Sequence, residues 1–227
     1  MFLKSDKIMK THRLGIVSLV FCVFLTLGNT RLMAQDVTDW SSWTSVVVNH
    51  KFNSSLRLMS KMQVRSKDNF SAFERFFVNA GLGYKVLPKW ELKAVFAYHR
   101  RSSASKGKYN AYRYHIGSEA TWKKGDFRIR WRERFQQTFA FGDVENIIRS
   151  RLMFDYNIPS TILAPYFSIE TFNDLENDDS FKAERIRYMP GLKINLSEMY
   201  SLSVFYCRQD DVSRKTNIAG VEFIINL

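Results

Sequence analysis

The sequence predicts an all-β chain, a single antiparallel transmembrane barrel of about twelve strands, with ten as the alternative. Three observations predict it. Segments of about 9–14 residues alternate apolar and polar side chains with the period of a strand, from residue 43 to the C-terminus. The polar members of the alternation are largely arginine and lysine. A secretory leader precedes them, and after it no apolar run reaches the length of a membrane-spanning helix.

The leader comes first. Lys4, Lys7, Lys10 and Arg13 form a basic start, and Leu14–Leu27 is an apolar run of fourteen residues ahead of Leu32-Met33-Ala34. That pattern predicts a signal peptide over residues 1–34, cleaved before Gln35, and a barrel over 35–227. Cys22 lies inside the apolar run behind Phe21, so it is read as packing rather than as a lipid-attachment site. The leader carries five of the 34 basic and one of the 22 acidic residues, which leaves 29 against 21, a net charge of +8. Only Cys207 remains beyond the leader, so the exported chain has no internal disulfide.

Eleven segments follow: Trp43–Phe52, Ser55–Ser66, Phe73–Val86, Trp90–Arg101, Ala111–Trp122, Phe127–Phe139, Asn146–Asn157, Ile162–Asn173, Lys182–Asn195, Tyr200–Gln209 and Thr216–Leu227. Phe127–Phe139 shows the pattern at its clearest. Phe127, Ile129, Trp131, Phe135 and Phe139 share one face, and Arg128, Arg130, Arg132 and Arg134 the other. An arginine facing mid-bilayer lipid costs about 2–4 kcal/mol, so the four must point into the lumen. Backbone groups in lipid must all pair, so the sheet must close. Single-chain bacterial barrels have even strand numbers, and Gln35–Ser42 is expected to add a twelfth strand. Short turns at Asn53-Ser54, Leu87–Lys89, Lys123–Asp126, Ile158–Thr161 and Leu196–Met199 alternate with longer polar stretches. These are Lys67–Ala72, Ser102–Asn110, Ala140–Glu145, Asp174–Phe181 and Asp210–Lys215. Such alternation predicts short periplasmic turns and longer outer loops. Trp43, Trp90, Trp122, Tyr109, Tyr112, Tyr156 and Tyr200, near strand ends, are expected as interfacial girdles. The last strand, alternating through Val221, Phe223, Ile225 and Leu227, is expected to engage the outer-membrane assembly machinery.

Several short stretches carry a resemblance. They are Asp39-Trp40-Ser41-Ser42-Trp43-Thr44-Ser45, Phe73-Glu74-Arg75 ahead of Gly81-Leu82-Gly83-Tyr84-Lys85, and Arg149-Ser150-Arg151-Leu152. Arg185-Ile186-Arg187-Tyr188 followed by Pro190-Gly191-Leu192 completes the set. Together they resemble the domain-of-unknown-function 2490 family of predicted bacterial outer-membrane barrels. The resemblance spans nearly all of the chain beyond the leader. It implies the architecture and the outer-membrane location and carries over no catalytic residue.

For function the informative set is the lumen. The expected cation cluster is Arg113, Arg128, Arg130, Arg132, Arg134, Arg149, Arg151, Arg185 and Arg187. The acids expected to pair with it are Glu119, Asp155, Glu170 and Glu222. Rings of arginine and lysine select small anionic solutes, which predicts a porin-like, anion-favouring channel or solute-handling barrel. The alternative is a plugged structural barrel for envelope maintenance, its cations and acids closed into salt bridges. A lipid-modifying hydrolase at the membrane surface is the third reading and not the favoured one. His50, His99 and His115 are available, yet Ser118, three residues after His115, has the opposite phase. No catalytic residue, cofactor or metal site is expected. The acidic loop Asp174, Glu176, Asp178 and Asp179 lacks the glycine and spacing of a calcium loop. The partners expected are outer-membrane lipid and lipopolysaccharide, with no nucleic acid, because the cations face a lumen.

Overall fold

The computed structural model describes residues 38–103, 105–176, 183–212 and 214–227. The expected leader and the loop residues Asp178 and Asp179 lie outside the described residues. The described chain is eleven strands: β1 (Thr38–Lys51), β2 (Leu56–Lys67), β3 (Ala72–Leu87), β4 (Trp90–Ser103), β5 (Gly107–Lys124), β6 (Phe127–Ala140), β7 (Asp143–Tyr156), β8 (Leu163–Asp174), β9 (Arg185–Asn195), β10 (Tyr200–Asp211) and β11 (Lys215–Asn226). Each pairs with the next in sequence, and β1 closes on β11. The result is a closed barrel with no free edge, the form that leaves no strand backbone unpaired in lipid.

Two sequence expectations need correction at the closure. Among the described residues there is no twelfth strand, because Thr38–Ser42 is the opening of β1 itself. An odd count makes the first and last strands run the same way, so the closing ladder is parallel. It extends from Thr38 opposite Lys215 to Asn49 opposite Asn226. All other pairs are antiparallel as expected. Parallel pairing is slightly weaker per residue, and side chains reinforce it here. Ser45 Oγ donates to Glu222 Oε2 at 3.0 Å, and Asn49 Nδ2 to Asn226 Oδ1 at 3.1 Å. Beside them Trp43, Cys207 and Ile218 form a buried apolar cluster with Met189 and Phe205 packed against it.

The connections differ from expectation on one side. The barrel end that carries Leu227 has links at residues 52–55, 88–89, 125–126, 157–162 and 196–199. The opposite, loop end has 68–71, 104–106, 141–142, 175–184 and 212–214. Only 175–184 is long. Residues read as loop, such as Lys108–Asn110 and Asp143–Glu145, instead extend the wall as paired strand. At 141–142 the cause is local: Phe141 and Gly142 both adopt positive φ, 58° and 86°, which closes a two-residue hairpin.

Alternation sorts the two faces as the arginine argument requires. Leu58, Met62, Val64, Leu82, Leu92, Phe96, Ile116, Ile129, Trp131, Leu152 and Phe154 are all exposed on the outer wall. Their neighbours in sequence line the interior. An apolar exterior around a charged interior inverts the order of a soluble barrel, so the wall is a membrane-spanning one. Trp90, Trp122, Tyr112 and Tyr200 of the expected girdles are exposed on the outer wall. Trp43 does not. It shares its phase with buried Ser41 and Ser45 and is 6% exposed inside the barrel. Tyr109 lines a depression at the loop end with Arg101 and Thr138 rather than the girdle.

Candidate functional site

The expected lumen residues come together because strand pairing puts them in register. On β6 and β7, Arg128 stands opposite Asp155, Arg132 opposite Arg151 and Arg134 opposite Arg149. On β5, Glu119 faces Arg132 and Gly117 faces Arg134. On β8 and β9, Glu170 faces both Arg151 and Arg187, and Phe172 faces Arg149 and Arg185. Facing residues on one side of a sheet stand close enough for their side chains to interact.

Glu170 is the hub of this wall. Its carboxylate accepts from Arg132 at 2.6 Å and Arg149 at 2.9 Å, with an Arg187 nitrogen at 3.8 Å. Phe172 supplies a ring for three guanidinium groups: Arg149 at 4.2 Å, Arg187 at 4.5 Å and Arg185 at 5.3 Å from its centroid. Arg187 also reaches the ring of Trp43 at 4.9 Å, and Arg65 lies over that ring at 3.7 Å. Trp43 thereby joins the arginine wall to the apolar seam, each contact a desolvated cation–π pair.

The remaining acids are used as well. Asp155 accepts from Arg130 at 2.7 Å. Glu119 pairs with Lys93 at 3.0 Å and lies 3.9 Å from Arg151. Glu222 pairs with Lys61, and Arg185 with Asp211. Interior acids outside the expected set take part too: Asp211 with Arg185, Glu74 beside Arg75 at 2.6 Å, and two more. Glu91 takes Arg57 at 2.5 Å and Lys93 at 3.2 Å, and Asp39 takes Arg214 at 2.5 Å at the loop end. Their phase in β4 and β1 was the available signal. Three members of the expected cluster have no carboxylate within ion-pair distance among the described residues: Arg113, Arg128 and Arg134.

The candidate catalytic groups do not converge. His99 and His115 are buried in the interior, whereas Ser118 shares its face with the exposed Ile116 and points outward. His50 packs edge-on against Phe52, 4.9 Å between centroids. Among the described residues no group of three His, Cys, Asp or Glu side chains is placed to hold a metal ion. An acid lies at mid-height on the lipid-facing wall. Glu133, at mid-length in β6, accepts from Trp131 Nε1 at 2.7 Å and Ser150 Oγ at 2.6 Å.

Comparison with known proteins adds the following. The model of a family described as "Protein of unknown function (DUF2490)" matches residues 40–218. Among curated proteins no relative is found. Among solved structures, the KdgM porin is similar at 15% identity and a TM-score of 0.49, covering 75% of this chain and 84% of that one. The translocator domain of the autotransporter NalP from Neisseria meningitidis is similar at 11% identity and 0.45, over 74% and 72%. The beta domain of the Bordetella autotransporter BrkA gives 11% and 0.44, over 76% and 82%.

Proposed function

We propose, from the premise that the chain belongs to the DUF2490 family of proteins of unknown function, that it is an outer-membrane barrel whose lumen admits small anions. One observation carries the reading. Arg113, Arg128 and Arg134 line the interior with no carboxylate at ion-pair distance among the described residues. Charge left over in a confined, low-dielectric passage attracts the opposite sign. On this reading the partners are outer-membrane lipid and lipopolysaccharide around the wall, the assembly machinery at β11, and small anionic solutes within.

Planar-bilayer recording of the purified barrel in a potassium chloride gradient tests it. The expected result is a current whose reversal potential is set by chloride, shifted toward cation preference by Arg134→Glu. Absence of current, or cation selectivity in the unmodified chain, overturns it.

The plugged structural barrel is the second reading, favoured by the Glu170 hub and by Arg187 stretching from β9 to Trp43 on β1. It expects no current. A hydrolase has less support, because Ser118 and His115 stand on opposite sides of one strand.

A further inference from the structure

The charges of the interior are unevenly matched along its length. Toward the end that carries Leu227, cations and acids alternate in pairs: Arg57 with Glu91, Lys93 with Glu119, Arg130 with Asp155, Lys61 with Glu222. Toward the loop end on β4, β5 and β6 the pattern stops. Along β5, Arg113 and His115 stand two residues apart on one face, His115 opposite Gln136 and Arg113 opposite Thr138. His99, opposite Ala111 on β4, is the diagonal neighbour of Arg113. Gly117 faces Arg134, so the β5 position directly across from that arginine carries no side chain.

The polar groups of this patch are buried and short of partners. His99 is 3% exposed, and neither ring nitrogen has a hydrogen-bond partner. His115 is 8% exposed, and its Nδ1 has none. Arg113 donates from Nε to Thr138 Oγ1 at 2.9 Å and makes no ion pair among the described residues; Arg134 makes none either. The side-chain oxygen of Gln136 is taken by Arg149 at 3.0 Å, which leaves its amide hydrogens available. The strongest charges bearing on the two imidazoles are cationic: Arg113, Arg101, Arg75 and Arg65 on His99, and Arg134, Arg149, Arg132 and Arg113 on His115. Glu145 and Glu170 act on Arg113 and Arg134 only from beyond ion-pair distance, and buried cations without a close counter-charge and unpaired buried donors are both costly. Above them a depression of about 270 Å³ at the loop end, lined by Arg101, Lys106 and Thr138 together with Asp143, Glu145 and Glu176, meets the same Thr138 that holds Arg113.

We propose that Arg113, Arg134 and Gln136, gathered around His115, form a binding subsite for a small tetrahedral oxyanion of the phosphate class. The inference rests on the reading of the lumen as anion-handling and names the anion. Two guanidinium forks, an imidazole and an amide offer more directed donors than a chloride ion or a planar carboxylate can accept. A phosphate dianion has oxygens on all sides and matches the charge of the two unpaired arginines.

The test uses the full barrel in detergent micelles. Its thermal unfolding is followed while inorganic phosphate replaces chloride at constant ionic strength. A saturable rise in unfolding temperature with phosphate is expected, weakened about tenfold or more in Arg113→Gln and Arg134→Gln, since hydrogen bonds to a charged group are each worth that factor. Lys108→Gln removes the same charge from an exposed position outside the interior and is expected to leave the rise unchanged. His115→Gln, which keeps a donor, serves where an arginine variant does not fold, and a several-fold weakening is expected. No saturable rise, or an equal rise in the variants, overturns the subsite. Phosphate binding without bilayer current upholds the subsite and overturns the channel. Chloride-selective current without phosphate binding does the reverse.

Discussion

On β6 to β9 the lining of the barrel is a chain of guanidinium and carboxylate groups gathered on Glu170 and the ring of Phe172. On β10, β11 and β1 it is an apolar cluster of Trp43, Cys207 and Ile218, with Phe205 laid over Gly220. The first wall holds its shape by mutual charge neutralisation, in which removing one member strands the others. The second holds by burial, where loss scales with the volume removed and the partners stay content. The interior thus joins a wall held together by charge to a closing seam held together by burial.

Three substitutions separate the two modes, measured as unfolding free energy by denaturant titration in micelles. Glu170→Ala has the largest expected effect, a loss of about 3–5 kcal/mol, because Arg132, Arg149 and Arg187 are left facing one another. Restoring an apolar balance with Arg132→Met in the same chain should recover part of it; no recovery would show that the hub acts through packing rather than charge. Cys207→Ser is next, at about 1–3 kcal/mol, since it places a hydroxyl among Trp43, Ile218 and Phe205 with no partner. A loss under a few tenths would mean that the seam cluster is wetter than its burial implies. Ser150→Ala is the smallest, about 0.2–1 kcal/mol, as Glu133 keeps Trp131 when the cross-strand hydroxyl is removed. A larger loss would make that lipid-facing carboxylate a structural anchor of the wall.

Much of this was legible in the residues. Arg128 to Arg134 reveal their direction by period and by the cost of arginine in lipid, and the intervening Ile129 and Trp131 are exposed on the outer wall. The same parity, followed on β1, would have placed Trp43 beside Ser41 and Ser45 inside the barrel. Followed on β6, it would have placed Glu133 outside with Trp131. The Phe141-Gly142 hairpin was hidden because a phenylalanine at positive φ is not a turn signal. The parallel closure was hidden for a deeper reason. Alternation reports which side a residue faces and carries nothing about which way a partner strand runs. The crowding of Arg113, Arg134, His99 and His115 likewise depends on register between β4, β5 and β6, which no single strand encodes.

The seam between β1 and β11 also sets the order in which the molecule can come into being. Ser45 and Glu222, joined across it, are 177 residues apart in sequence. Every other ladder links neighbours in the chain and can zip up as a hairpin, whereas this one waits until all eleven strands exist. Until then β1 and β11 both present open backbone, and in a bilayer an open edge is the costliest surface a sheet can have. Closure is therefore a single late event, and the nascent sheet needs something to cap its two edges until they meet.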